Sequence, residues 1–170
     1  MLAAFVVGAW CATGYAQERP LTRSPHTEHS ALLVGLKGIF VDEFAEGEHE
    51  QGGGLAAFIE LTLLEHLLEL ELGVVGVLPQ ESAAQVAFEP LLKVTFHVVE
   101  AVDPYVGGGP VVLWGAERPN LRGGGQIVIG SYFWINHAFG LDTDVGGALL
   151  SGARDVATEY TFTLGPVLRL

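Results

Sequence analysis

The chain has 170 residues, the length of a single domain, and its composition excludes several classes of protein. It is 49% hydrophobic and 16% charged, whereas a soluble domain is normally about 25% charged. The formal net charge is −12 with eight Lys and Arg in total. This balance argues against nucleic-acid binding, which needs clustered cations. One Cys excludes a disulfide framework and a Cys-based zinc site.

The high hydrophobic content is not gathered into one segment. No run of 18 or more consecutive apolar residues is present, and a membrane-spanning helix needs about that many. A transmembrane β-barrel remains possible on this composition, because the hydropathy signal of each strand is weak and becomes clear only when all the strands are considered together.

The N-terminus predicts a targeting segment. Residues 1–16, "MLAAFVVGAWCATGYA", have the apolar core and small cleavage-site residues of a secretory signal, with the cut before Gln17. A membrane anchor is the alternative, and bulky Trp10 disfavours a lipoprotein site at Cys11. No Lys or Arg precedes the apolar run. We expect residues 1–16 to be a signal peptide, 17–28 a tail and 29–170 the barrel.

The segments after the tail alternate with the period of a strand. In "LLELELGVVGVL" (67–78), leucines at even positions oppose Glu69, Glu71 and Gly73. Helical spacing would mix acids with leucines on one stripe. In chain order the eight predicted strands lie within residues 29–42, 55–64, 67–78, 88–99, 105–115, 124–135, 139–149 and 160–170. These lengths suit tilted strands that cross a bilayer.

The connections between these strands alternate between two kinds. Those near Glu65, at 100–104 and at 136–137 are short, whereas "EFAEGEHEQGG", "LPQESAAQ", "AERPNLRGG" and "SGARDVATE" are longer and polar. This alternation predicts short turns at one end of a barrel and long loops at the other. Pro90, Pro110 and Pro166 fall inside predicted strands, so we expect each to mark a bulge or a rim position.

Alternation alone does not decide which face meets water, since a soluble lipocalin-like barrel has its charges outside. The charged face is sparse and its other members are small, which favours a confined lumen. We therefore predict an all-β, eight-stranded, antiparallel up-and-down transmembrane β-barrel with its charges inside. Such a barrel is only wide enough for side chains to fill, so the inward charges must pair. The predicted interior network is Lys37, Glu60, Glu69, Glu71, Lys93, His97, Asp142, Asp144 and Arg169.

Aromatic residues occur near the strand ends, where interfacial girdles of a barrel lie. We predict one girdle beside the long loops and one beside the short turns: Phe44, Phe88, Trp114 and Tyr160 in the first, and Phe96, Tyr105, Trp134 and Phe139 in the second.

Four fragments resemble the eight-stranded outer-membrane β-barrel family of OmpA-like and opacity-like porin-family proteins. They are "GLAAFIELTLLEHLLELELGVVG", "PYVGGGPVV", "GSYFWINHAFGLDTDVG" and "YTFTLGPVLRL". The resemblance implies export through the periplasm, residence in the bacterial outer membrane, contact with lipid and lipopolysaccharide, and insertion by the barrel-assembly machinery. The family usually ends in an aromatic residue, and Leu170 departs from that pattern.

Motifs that would carry chemistry are absent or weak. The glycine runs at 52–54, 107–109 and 123–125 lack the setting of a phosphate loop. Ser131 and Ser151 show no pattern with His97 or His137 that suggests a nucleophile and its base. His26, His29 and His49 fit a solvated surface, and the acid-rich stretch 42–50 lacks calcium-loop spacing. We expect no enzyme, no cofactor and no metal site.

The predicted function is that of a monomeric outer-membrane barrel with a structural or surface-interaction role and a plugged interior. One alternative is a narrow pore for small solutes. The other is a secreted soluble barrel that binds a small apolar ligand.

Overall fold

The computed structural model describes residues 32–45, 47–64, 67–99, 101–115, 121–152 and 156–170, and the predicted signal peptide and tail lie outside these ranges. No helix in this part of the chain is long and apolar enough to cross a membrane. Eight strands were found: β1 (Leu32–Ala45), β2 (Glu48–Leu64), β3 (Leu68–Pro79), β4 (Gln85–Thr95), β5 (Val102–Gly115), β6 (Leu121–Trp134), β7 (Phe139–Ser151) and β8 (Val156–Arg169).

The strands form one closed antiparallel barrel. Each pairs with its neighbours in the chain, and β8 closes the ring by pairing with β1. The seam continues to the last residue, where the Leu170 backbone N–H donates to the Leu32 carbonyl at 2.9 Å. The predicted up-and-down barrel is confirmed.

The two ends of the barrel are named here by the chain termini. The terminal end is where β1 begins and β8 ends, and the distal end is the opposite one. Strand bounds leave three, six and four residues between strands at the terminal end, and two, five, five and four at the distal end. The predicted contrast between short and long connections is therefore wrong. In the polar stretch around residues 42–53, β1 and β2 continue as paired strands up to Ala45 and Glu48. The polar residues of this stretch therefore belong to the outer ends of two strands, and not to a long loop.

The three prolines inside strands interrupt ladders without shifting their register. In the β4–β5 pair, Phe88 is opposite Val112 and Leu92 is opposite Gly108, with no paired residues between them. That gap contains Pro90 and Pro110, which both lack an N–H to donate. Pro166 lies in a similar gap between β8 and β1. The expected bulges are absent here, and the register shift seen in the described strands falls between Thr62 and Leu64.

Side chains alternate strictly between the lumen and the outer wall. In β3, Glu71, Gly73, Val75 and Val77 are buried, while Leu72 and Val74 are 40% and 52% exposed. The same alternation places apolar side chains on the outer wall of every strand. Leu55 of β2 and Ile127 of β6 are examples. Because the carboxylates lie inside, the soluble lipocalin-like alternative is wrong.

Inward-facing glycines allow neighbouring strands to approach closely at four seams. A Cβ on Gly54, Gly109, Gly124 or Gly165 would lie 1.9 Å from a carbonyl oxygen of the adjacent strand. These glycines lie at the β2–β3, β4–β5, β6–β7 and β8–β1 seams, which are every second seam around the ring. Glycine in strands commonly marks such bends and close approaches. The narrow bore that results brings inward side chains from opposite walls into contact.

Candidate functional site

The centre of the terminal half of the lumen is an ionic network around Lys93. This side chain is 0% exposed, and its Nζ donates to Glu60 Oε2 at 2.8 Å, Glu71 Oε2 at 2.5 Å and Tyr132 Oη at 2.7 Å. The Tyr132 hydroxyl donates in turn to Glu60 at 2.6 Å. These partners come from β2, β3 and β6, so a single amine joins strands across the whole bore.

Lys37 on β1 forms the second half of the network. Its Nζ lies 2.6 Å from Asp142 Oδ2 and donates to Asp144 Oδ2 at 2.9 Å, and it is 3.9 Å from Glu71 Oε2. All of these groups are buried. Two ammonium groups thus share four carboxylates, and Glu71 is the carboxylate common to both.

Aromatic rings pack against these ammonium groups. The Nζ of Lys37 lies 4.5 Å from the centre of the Phe58 ring, and the Nζ of Lys93 lies 4.2 Å from that of Tyr105. Such contacts stabilise a desolvated cation by about 2 kcal/mol. Tyr105 also donates to Asp142 at 2.8 Å, and it is 2% exposed. Its predicted place in a girdle is wrong, because Tyr105 lies on the inward face of β5.

Trp134 also lies on the inward side, contrary to its predicted girdle position. Its indole N–H donates to Asp103 Oδ2 at 2.7 Å, and the guanidinium carbon of Arg169 lies 4.0 Å from the centre of its ring. The other Asp103 oxygen lies 2.7 Å from His97 Nδ1. Arg169 and His97 therefore lie at the terminal opening of the barrel and do not join the ion pairs of Lys37 and Lys93.

Glu69 lies between this opening and the network. Its Oε2 accepts a 2.5 Å hydrogen bond from the Thr95 hydroxyl, and its side chain is half-buried. The six other residues of the predicted interior network come together in the buried ionic network. They are Lys37, Glu60, Glu71, Lys93, Asp142 and Asp144.

The distal half of the lumen is filled by apolar side chains, which the sequence analysis did not predict. These buried residues come from every strand except β2 and β6, and Ala56 of β2 packs against them. They are Ile39, Val41, Val75, Val77, Ala87, Val111, Leu113, Ala148, Leu150 and Ala157, and we call them the apolar layer. The signal was present in "GVVGVL", where both faces of β3 become apolar.

A small cavity of about 30 Å³ lies between the ionic network and the apolar layer. Glu89, Gln126 and Thr163 contribute polar groups to its lining, together with Lys37 and Asp144. Glu89 and Gln126 belong to the inward polar set, and the sequence analysis missed both. Glu89 shares the inward face of β4 with Lys93, so the alternation could have placed it in the lumen. Gln126 has only small or apolar residues around it in β6, which gives no signal for its face.

Beyond the apolar layer, the distal opening is polar. Arg122 donates to Glu43 at 2.7 Å between β6 and β1. On the rim, Asp42 and His49 form an ion pair, and Glu50 accepts hydrogen bonds from the backbone N–H groups of residues 81 and 82. The rim is held by contacts between hairpins.

Five of the eight predicted girdle residues occupy outward strand positions, and a sixth, Phe96, directly follows the end of β4 and is exposed. Those toward the distal end are Phe44, Phe88, Trp114 and Tyr160, and those toward the terminal end are Phe96 and Phe139. Phe44 and Tyr160 contact each other edge to face, with ring centres 6.1 Å apart. Their role as an interfacial girdle stays a prediction.

The candidate nucleophiles and the histidines occupy different places. Ser131 shares the outward face of β6 with Ile129 and Phe133, and Ser151 shares that of β7 with Leu149. His97 and His137 line a cavity at the terminal opening. Within the described ranges, no group of three or more His, Cys, Asp or Glu side chains is arranged to hold a metal ion.

Comparison with solved structures places this architecture among known barrels. Neisserial surface protein A superposes with a TM-score of 0.74 at 10% identity, covering 84% of this chain and 100% of that one. The fold is that of eight-stranded outer-membrane β-barrels. Ail of Yersinia pestis gives a TM-score of 0.51 at 13% identity, covering 83% of this chain and 99% of its own.

AlkL, an outer membrane protein studied in lipid bilayers, gives a TM-score of 0.54 at 12% identity, covering 91% of this chain and 97% of its own. No family model and no curated protein matches the sequence. The resemblance drawn from the sequence is confirmed at the level of the fold.

Proposed function

We propose that this protein is a sealed, monomeric barrel of the bacterial outer membrane with a structural or surface-interaction role. The observation that carries the proposal is that the lumen is closed at two successive levels along its axis. An ionic network closes the lumen in the terminal half of the barrel, and an apolar layer closes it in the distal half.

The outer wall supports placement in a lipid bilayer. Outward side chains are predominantly apolar on all eight strands, with Leu55 71%, Ile127 68% and Leu149 63% exposed. A contiguous apolar surface of this extent marks a membrane or protein contact. A closed barrel also leaves no unpaired strand edge in hydrocarbon. The lipid and lipopolysaccharide of the outer membrane are the proposed surroundings, reached through the periplasm with a signal peptide and inserted by the barrel-assembly machinery.

The apolar layer opposes the alternative of a narrow pore. A constriction lined by Val, Leu and Ala holds no groups that replace the hydration shell of an ion, and such constrictions close by losing water. In the ionic network, moving Lys93 aside would leave Glu60 without its ammonium partner and Glu71 with only the more distant Lys37, which is strongly unfavourable in a buried site. Both closures would have to open together for a solute to pass.

Planar-bilayer recording of the purified barrel tests this proposal. We expect no stepwise conductance above that of the bare bilayer. Leu150→Ala, which shortens a 1% exposed side chain of the apolar layer, provides a sensitised variant. Its matched control is Leu149→Ala, which alters the neighbouring outward position. Steady channels in the unmodified protein would refute the proposal and support the pore.

The distal rim indicates the charge of a surface partner. Among the described residues of the rim, the charged side chains are mainly acidic, including Asp42, Glu48, Glu50 and Glu81, and His49 is paired with Asp42. Ail has been crystallised with a heparin analogue, sucrose octasulfate. An acidic rim repels such a polyanion, so we propose that a partner here is cationic. Retention of the barrel on immobilised heparin at low salt would contradict this.

We propose no enzymatic activity for the barrel. The support is geometric: Ser131 and Ser151 face outward, whereas the described histidines lie at the two ends of the barrel. A serine nucleophile needs a general base beside it, and Ser131 and Ser151 face away from the lumen.

A further inference from the structure

The terminal opening contains a cavity of about 700 Å³ that the structural role does not use. This volume lies within the range of small-molecule sites. Trp134 and Asp103 form its floor by their hydrogen bond, and Arg169, His97 and His137 contribute basic groups. Val98, Val99, Ala101 and Ile135 give it apolar walls. We call it the terminal vestibule.

The charge of the terminal vestibule contrasts with the net charge of the chain. Its single described carboxylate, Asp103, has both oxygens engaged, one by His97 and one by the Trp134 indole N–H. Arg169 forms no ion pair with a carboxylate of the described residues and stacks instead on Trp134. The ring covers one face of the guanidinium, and a guanidinium stacked in this way can still use the N–H groups along its edge to bind a ligand.

A guanidinium held by an aromatic ring is a suitable receptor for an oxyanion. Its edge N–H groups match the two oxygens of a carboxylate or phosphate in a bidentate pair. His137 lies on the same cavity and adds a second donor. The apolar walls would accept a hydrocarbon or aromatic substituent on the same molecule.

We propose that the terminal vestibule binds a small organic anion with a phosphate or carboxylate head and an apolar group. Arg169 pairs with the head, Trp134 holds Arg169 in position, and Val98, Val99 and Ile135 contact the apolar group. This site goes beyond the structural role proposed above and does not depend on it. A free metabolite-sized anion and the headgroup of a membrane lipid share this chemistry.

The Trp134 indole N–H provides a direct reporter, and Trp114 on the outer wall provides an internal control. The barrel is reconstituted in phosphatidylcholine nanodiscs and titrated with phenyl phosphate while the indole ¹H–¹⁵N resonances are recorded. We expect a saturable shift of the Trp134 signal with the Trp114 signal unchanged. Phenol, which lacks the anionic head, should shift the Trp134 signal at least about tenfold less effectively.

A second preparation replaces part of the phosphatidylcholine with anionic phosphatidylglycerol and contains no phenyl phosphate. A Trp134 shift caused by the lipid alone, with weaker phenyl phosphate binding afterwards, identifies a headgroup as the ligand. Phenyl phosphate binding of equal strength in both lipids identifies a free anion. If neither phenyl phosphate nor the anionic lipid shifts the Trp134 signal in any preparation, the proposal is overturned.

Two variants test the assigned residues. Arg169→Gln should weaken phenyl phosphate binding about tenfold or more, and His137→Gln, which disturbs no strand, should weaken it by a smaller factor. Arg122→Gln at the distal opening is the matched control and should bind like the unmodified barrel. Equal affinities for the Arg169→Gln variant and the unmodified barrel, or an equal loss in Arg122→Gln, would refute the assignment.

Discussion

Replacing Lys93 by Met removes the cation at the centre of the buried network. Met has a similar length and no charge, so the change isolates the loss of the ammonium group. Glu60 and Glu71 would lose their 2.8 and 2.5 Å partners, and the charge balance of the network would change from two amines to one against four carboxylates. Removing one partner of a buried ion pair costs about 3–5 kcal/mol.

This cost is measurable by urea titration of the barrel in lipid vesicles, followed by Trp fluorescence. With a slope of about 2 kcal/mol per molar urea, the unfolding midpoint should fall by about 1.5–2.5 M. Gel electrophoresis of unheated samples should show the same loss of stability. The folded barrel migrates in a compact form that boiling abolishes, and the variant should lose this form more readily than the parent.

A compensating variant separates lost charge pairing from lost packing. Lys93→Met combined with Glu60→Gln and Glu71→Gln leaves no carboxylate of this group uncompensated, so it should recover most of the lost stability. Arg122→Gln is the control outside the network, where loss of the partly exposed Glu43 pair should cost less than loss of the fully buried Lys93. A Lys93→Met barrel as stable as the parent, or a triple variant no better than the single one, would refute the reasoning.

Three further predictions use the same unfolding assay. Ile127→Lys places a charge on the lipid-facing wall and should cost about 2–4 kcal/mol near the bilayer midplane; a neutral effect would contradict the assigned face. Gly109→Ala should prevent or strongly weaken folding, because its Cβ would lie 1.9 Å from the Pro90 carbonyl oxygen, whereas Gly125→Ala, with its closest contact at 3.9 Å, should fold. Tyr105→Phe should cost about 1–3 kcal/mol, because it removes the hydroxyl that donates to two buried aspartates.

The sequence predicted strand faces well wherever acids alternate with leucines. In β3 and β7 two acids two positions apart assign one face to the lumen, and in β2 Glu60 does so among apolar neighbours. A one-residue error would place several carboxylates in lipid. The inward positions of Glu60, Glu71 and Asp142 were predictable for this reason.

Prediction failed where neighbouring residues lack contrast. Residues 105–110 of β5 are aromatic, Val, Gly and Pro, and this composition gives no preference between faces. Tyr105 was assigned to the outside because it is amphipathic and lies near a strand end. The useful signal was Asp103, two residues earlier on the same face, since a carboxylate at that position must point inward.

Connection lengths failed for a different reason. Polar composition distinguishes residues that meet water from residues that meet lipid, and it does not distinguish loop from strand. In β1 and β2 the strands continue past the apolar belt, with Asp42 opposite Gln51 and Glu43 opposite Glu50. Such pairs form a ladder outside hydrocarbon, where either face tolerates charge.

The apolar layer has a consequence for how the strands choose their partners during folding. In the distal half, both faces of β3 carry aliphatic side chains or glycine. A shift of this segment by one residue therefore replaces one apolar side chain by another on each face, at small cost in free energy. Near the terminal end the same slip would turn Glu69 and Glu71 toward acyl chains. The acids near the terminal end of the barrel therefore fix the alignment of β3, and the distal part of this strand adopts the spacing set there.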